Sequence, residues 1–152
     1  MRVGVGYDSH PFADGRRLVL GGVEIEHPRG LAGHSDADVL THAISDALLG
    51  AACLGDLGEH FPADDERWRD ASSLDLLRTV VGMVPGRVAN ADATLVAEEP
   101  RLGPHRPLMQ QNLTATLGAP VSVKATTNEG MGWIGRGEGI ACVAVVAVEL
   151  EP

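Results

Sequence analysis

The sequence predicts a single α+β domain over residues 1–152, with a small mixed four-stranded sheet and helices packed on one face. Three observations carry this expectation. Segments of strand and helix pattern follow one another as strands, helix, helix, strand, helix, strand, strand. Two of them, "VSVKATT" and "IACVAVVAVEL", are rich in β-branched residues and read as strands. Aromatic residues make up only 3% of a chain that is 44% hydrophobic, so Ala, Val and Leu must fill the core.

Taken in order, "MRVGVGY" reads as the first strand, ending near Asp8 and His10. "RLVLGGVEIE" reads as one or two short strands bent at Gly21-Gly22. Ser35 is expected to cap a helix running through "DADVLTHAISDALLGAACL" and stopping near Gly55. "GDLGEHFPADDERW" reads as a long loop, and "SSLDLLRTVVGMV" as a second helix. "RVANADATLVAEE" alternates as a strand does, and Pro104 is placed to open a third helix. The final pair of strands flanks "NEGMGWIGRGEG", a loop with five glycines. Cys53 and Cys142 lie in apolar runs and are expected to be buried free thiols.

The net charge of -9 argues against a nucleic-acid surface, which needs a basic patch. It allows a small anionic substrate, provided metal ions, arginines or backbone N–H groups compensate locally. The first segment reads as strand rather than signal peptide, and no apolar run is long enough to span a bilayer. A cytoplasmic protein with no membrane partner is therefore expected.

The first helix is apolar around most of its circumference, yet Asp38, His42 and Asp46 recur on one stripe. Taken singly, each could be a solvated surface residue. Together they suit a metal-bound imidazole, in which one nitrogen ligates and a carboxylate orients the other. Asp8 and His10 have the period-two spacing that points both side chains the same way from an extended strand. With His42 they offer three ligands, the pattern of a catalytic zinc site that keeps its fourth position open. His34 and Ser35 precede the first helix, where free N–H groups favour an anion. Thr126, Thr127 and Asn128 could donate to phosphate oxygens, Glu129 could hold magnesium, and Arg136 could meet an anion. Read alone, that glycine-rich segment is equally a flexible hairpin loop. His27, His60 and His105 read as surface or loop residues.

The segments "GYDSHPF", "GHSDADVLTHAISDALLGAACLGDLGEHFP", "KATTNEG" and "GRGEGIAC" closely resemble the 2-C-methyl-D-erythritol 2,4-cyclodiphosphate synthase family along essentially the whole chain. The resemblance implies a homotrimer of α+β subunits with active sites between neighbours. It implies conversion of 4-diphosphocytidyl-2-C-methyl-D-erythritol 2-phosphate into the cyclic diphosphate with release of CMP. Asp8, His10 and His42 would then ligate zinc, one ion per subunit, with Asp38 and Asp46 behind His42. Glu129 would carry a second divalent ion, Mg2+ or Mn2+. His34 and Thr127 would stabilise the transition state, and Asp8, His10, His34 and Ser35 would lie along the substrate. Asp56, Leu57 and Gly58 would hold the methylerythritol, in a pocket also lined by Phe61, Pro62, Ala63, Asp64 and Asp65. Ala97, Pro100, Arg101, Leu102 and Gly103 would form the cytidine pocket with Thr126 and Thr127, from the adjacent subunit. Asn128, Trp133 and Arg136 complete the expected substrate contacts. A central channel on the threefold axis could hold an isoprenoid.

Three departures stand out against that family. Ala37 replaces a common glycine, and at a helix start alanine is expected to serve better. Arg101 replaces a lysine, which keeps the charge and changes the hydrogen-bonding geometry. Gly103 replaces a larger apolar residue. Two other functions fit the same residues. A metal-dependent phosphoesterase would hydrolyse the substrate to a linear product. A trimeric scaffold would use zinc structurally, with four protein ligands and unfolding on metal removal.

Overall fold

The structure, a computed structural model, describes residues 1–151. The strands are β1 (Arg2–Ala13), β2 (Leu18–Leu20), β3 (Val23–Ile25), β4 (Gly30–Leu31), β5 (Gly86–Val96), β6 (Val121–Thr126) and β7 (Gly139–Leu150). The helices are α1 (Val39–Ala52), α2 (Leu57–His60), α3 (Ser73–Met83), α4 (Arg106–Leu117) and α5 (Gly132–Gly135). The α+β class is as expected, but the sheet has five strands rather than four, in the order β4-β1-β7-β5-β6. The added strand is β4, a two-residue antiparallel pairing with the end of β1. Only β5 and β6 run parallel, joined through α4. A separate hairpin, β2-β3, covers the core.

The opening "VGVG" is explained by the packing of α1. A Cβ on Gly4 would collide with the carbonyl oxygen of Ala47, and one on Gly6 with that of Ala43. Glycines on the strand and alanines on the helix bring the two backbones together, and aliphatic side chains from α3, α4 and the hairpin close the rest. Ala43, Ile44, Ala47, Leu48, Leu77, Val80, Met109 and Leu113 are all inaccessible to solvent.

The other face of β1 and β7 carries no helix. Val3, Val5 and Tyr7 alternate on β1 and are 64%, 67% and 57% exposed. Tyr7 pairs in register with Val143, and Val5 with Val145, both also exposed. The result is a contiguous apolar strip on the exposed face of the sheet. Among the described residues no helix is long and apolar enough to cross a membrane.

Several local expectations are corrected. Strand β1 does not end near Asp8 but continues through it to Ala13. Helix α1 begins at Val39, and its cap is Asp38, which accepts the N–H of Thr41; Ser35 is not the cap. The reason is Ala37, whose φ of 57° lies in the left-handed region and breaks the helical path. Alanine there is consequently less suited than glycine, contrary to the expectation from helix propensity. Cys53 terminates α1 in a left-handed conformation and is exposed, whereas Cys142 is buried. The stretch after α1 contains α2 and a 3-10 turn at Glu66–Trp68, the glycine-rich loop contains α5, and α4 starts at Arg106 after a 3-10 turn containing Pro104.

Candidate active site

Residues Gly4, Gly6, Asp8 and His10 share one parity on β1, so the face that receives α1 also presents Asp8 and His10. His42 descends from the first turns of α1 to meet them. Asp8 Oδ2 lies 2.9 Å from His10 Nε2 and 3.1 Å from His42 Nδ1. The two ring nitrogens are 3.2 Å apart. Burial opposes charge on Asp8, but hydrogen bonds from His10 and His42 outweigh it and hold its carboxyl at about 2. Burial likewise opposes charge on His42, and the hydrogen bond and charge of Asp8 outweigh it, raising the imidazole above its usual value.

This donor set fits zinc. Two imidazoles and a carboxylate converge on one point, and tetrahedral bonds of about 2.0–2.1 Å place neighbouring donors about 3.3 Å apart. Beside the donors lies a cavity of about 490 Å³, so the ion's remaining coordination would face open space. His34, Ser35, Asp56, Leu57, Gly58, Phe61 and Ala63, which the resemblance assigns to substrate, line that cavity, and so does Asp46, which was expected behind His42 instead. Tyr7, Trp68 and Leu76 also line it and were not anticipated. Trp68 packs edge-on against Phe61, and an indole inside the polar stretch "PADDERWRD" was the available signal.

The carboxylates on the helix stripe do different work from that expected. Asp38 is fully buried, and its carboxylate does not pair with the His42 ring; only its backbone carbonyl meets His42, accepting that residue's N–H. It accepts N–H groups from Gly21, Gly22 and Thr41 and the Thr41 hydroxyl, at 2.8–3.0 Å, tying the β2-β3 turn to α1. Burial, reinforced by the charge of Asp36, pushes its carboxyl up against those hydrogen bonds. Asp46 accepts the N–H of Leu57 at 3.0 Å and so pins the Asp56–Gly58 segment to the cavity wall. The groups on His42 Nε2 are instead Ser73 Oγ at 2.8 Å and Ser35 Oγ at 3.1 Å. His34 Nε2 pairs with the carbonyl of Asp65 at 2.8 Å, which anchors the Phe61–Asp65 segment. The Asp65 carboxylate itself is engaged by Arg67, and Pro62, Asp64 and Asp65 are not among the cavity's lining residues.

The remaining expected residues form a separate group. Ala97, Pro100, Arg101, Leu102, Gly103, Thr126 and Thr127 line a second cavity of about 570 Å³, at the ends of the parallel strands β5 and β6. It shares no lining residue with the first. Glu129 stands outside the donor cluster, exposed and in a left-handed conformation. Its loop is held by Glu98, whose Oε1 accepts the N–H groups of Asn128 at 2.9 Å and Gly130 at 3.1 Å. The Asn128 amide donates within the same loop to the carbonyl of Met131. Arg136 pairs with Glu138 and lines a third hollow with Phe12, His27 and Arg29; Trp133, in α5, lines neither main cavity.

Comparison with known proteins agrees with this architecture. The model of the YgbB family matches residues 1–149. The 2-C-methyl-D-erythritol 2,4-cyclodiphosphate synthase of Gloeobacter violaceus is 59% identical, over 98% of this chain and 95% of its own length. The enzyme of the same name from Syntrophomonas wolfei is 58% identical, over 98% and 99%. A solved 2C-methyl-D-erythritol-2,4-cyclodiphosphate synthase in a CDP-bound form superposes with a TM-score of 0.88 at 36% identity, covering 97% of this chain and 100% of that one. Matched over nearly its whole length in sequence and in fold, the chain belongs to the YgbB family, that of the 2-C-methyl-D-erythritol 2,4-cyclodiphosphate synthases.

Proposed function

We propose that the protein converts 4-diphosphocytidyl-2-C-methyl-D-erythritol 2-phosphate into 2-C-methyl-D-erythritol 2,4-cyclodiphosphate and CMP. The observation that carries this reading is the convergence of Asp8, His10 and His42 beside a cavity lined by His34, Ser35 and the Asp56–Gly58 turn. The nucleophile, a phosphate oxygen, is already ionised at neutral pH and needs no strong base. What the chain must supply is alignment and charge compensation. Asp8, His10 and His42 would hold zinc, which supplies Lewis-acid stabilisation of charge on the phosphate under attack. Ser35 and His34 sit against the same wall to orient phosphate oxygens, and Asp56 and Gly58 lie where a polyol would be held. Glu129 would hold the second divalent ion, Mg2+ or Mn2+, and Thr127 would donate to the charge that develops. The CDP bound by the solved relative supports a cytidine nucleotide as ligand, and on this reading it would occupy the second cavity.

The working unit is a homotrimer on this reading. The strip of Val3, Val5, Tyr7, Val143 and Val145 is the surface that association would bury. The second cavity of one subunit would then face the metal cavity of the next. That juxtaposition unites two groups of residues which one chain leaves in separate cavities.

A phosphorus NMR time course with zinc and magnesium tests the function. The expected result is CMP together with a cyclic diphosphate, both abolished by His42→Ala. Unchanged substrate in folded, metal-loaded protein would overturn the reading. A linear, hydrolysed product would identify a phosphoesterase.

A further inference from the structure

We propose that Ser73 and Asp36 are positioning residues that fix which ring nitrogen of His42 faces the metal-binding end of the cavity, and thereby set the affinity for zinc. The proposal rests on the reading of Asp8, His10 and His42 as metal ligands.

His42 Nδ1 faces Asp8 and His10, so it must carry a lone pair to ligate, and the ring proton must sit on Nε2. Nε2 lies 2.8 Å from Ser73 Oγ. A hydroxyl can donate or accept, so Ser73 alone would not choose the tautomer. Asp36 makes the choice. Ser73 Oγ is in a short hydrogen bond with Asp36 Oδ1, and a carboxylate only accepts. The single hydroxyl proton of Ser73 is thus directed at Asp36, and its oxygen can only accept from His42. Nε2 is left as the N–H, and Nδ1 as the lone pair.

Asp36 is itself held in place. Its Oδ1 also accepts the N–H of Asp38 at 3.1 Å, and its Oδ2 accepts the N–H of Ser73 at 3.0 Å. Ser73 is the first residue of α3, so the carboxylate faces the end of a helix whose dipole favours negative charge. Ser73 is inaccessible to solvent, which leaves no bulk water to compete for the contact. Ser35 Oγ, at 3.1 Å from Nε2, accepts the N–H of Ala37 and can take a share of the same ring proton. A residue of α3, remote in sequence, thereby serves a ligand on α1.

The test measures zinc affinity by chelator competition, and the His42 ring resonances by nitrogen–proton NMR of the zinc-loaded protein. Ser73→Ala is expected to weaken zinc binding about 10–100-fold and to remove the low-field Nε2–H resonance. Ser73→Thr keeps the accepting oxygen and should restore both. Asp36→Ala keeps the Ser73 oxygen but frees its hydroxyl proton and releases its backbone N–H, so it should reproduce the Ser73→Ala loss. Should Ser73→Ala fail to fold, the contrast between Ser73→Thr and Asp36→Ala decides. Wild-type affinity and unchanged ring resonances in Ser73→Ala and Asp36→Ala would overturn the proposal while leaving the metal site standing. A wild-type protein that binds no zinc would overturn the metal reading and this proposal together.

Discussion

The two main cavities of this chain are built on opposite plans. Around Asp8, His10 and His42, each donor is held by partly buried neighbours, and the ring nitrogens and carboxylate already lie within 3.2 Å of one another. At the second cavity, Thr126 ends β6 and Thr127 opens a glycine-rich loop that also carries Glu129 and leans on one carboxylate, Glu98. On the proposed function, the first cavity concentrates charge on a metal, and its donors are preorganised inside the subunit, where desolvation strengthens such interactions. The second, which would receive a nucleotide, lies open at the edge of the sheet. On the proposed function, a neighbouring subunit closes it.

This contrast can be broken most severely at its rigid end. Asp8→Ala removes a ligand and the counter-charge of two histidines, and should lower turnover by about 10³-fold, with loss of stoichiometric zinc. Turnover and metal content measured on the same preparation check this. At the open end, Glu98→Ala should lower turnover by about tenfold, the cost of one or two lost hydrogen bonds, while zinc content stays at the wild-type level. Equal loss of zinc in that variant would show that the two regions are not separable.

A pH titration of metal-free protein sharpens the comparison further. Asp8 is held at about 2, below its usual 3.8, so its contribution is present above about pH 3.8 and fades as pH falls toward 2. His42 is raised above 6.5, so its contribution is complete below that value and is lost as pH rises through the raised value. Thermal melts should therefore show the cluster stabilising the metal-free protein most between about pH 4 and 6.5, and a Tm flat across that range and beyond would contradict it. The smallest effect is expected at Ala37. Glycine would relieve its left-handed backbone but surrender a buried methyl, so Ala37→Gly should change stability by less than about 1 kcal/mol in a denaturant melt.

The grouping of Asp8, His10 and His42 was legible because it follows local periodicities. Period two on β1 aligned Asp8 with His10, and the polar stripe on an apolar helix singled out His42. What sequence could not show was the partner of His42. Asp38 and Asp46 had the right spacing, but Asp38 is consumed in capping α1 and tying down the hairpin turn, and Asp46 in holding Leu57. Ser73 and Asp36 reach His42 only through the packing of α3 on α1, a contact with no local pattern. The left-handed turn at Ala37 was hidden for a related reason: propensity favours alanine in a helix, and only tertiary constraint places it outside one. The fifth strand, β4, was missed because two residues carry no alternation.

On the proposed function, a complete site takes its metal end from one subunit and its nucleotide end from another. Co-expression of His42→Ala chains with Glu129→Ala chains, each inactive alone, tests it most directly. If the ends come from different subunits, random assembly pairs intact halves at about a quarter of all sites, and mixed trimers freed of homotrimers, with one intact site in three, should regain about a third of wild-type turnover. Mixed trimers as inactive as either parent would show that both ends of each site belong to one chain, and would contradict the account.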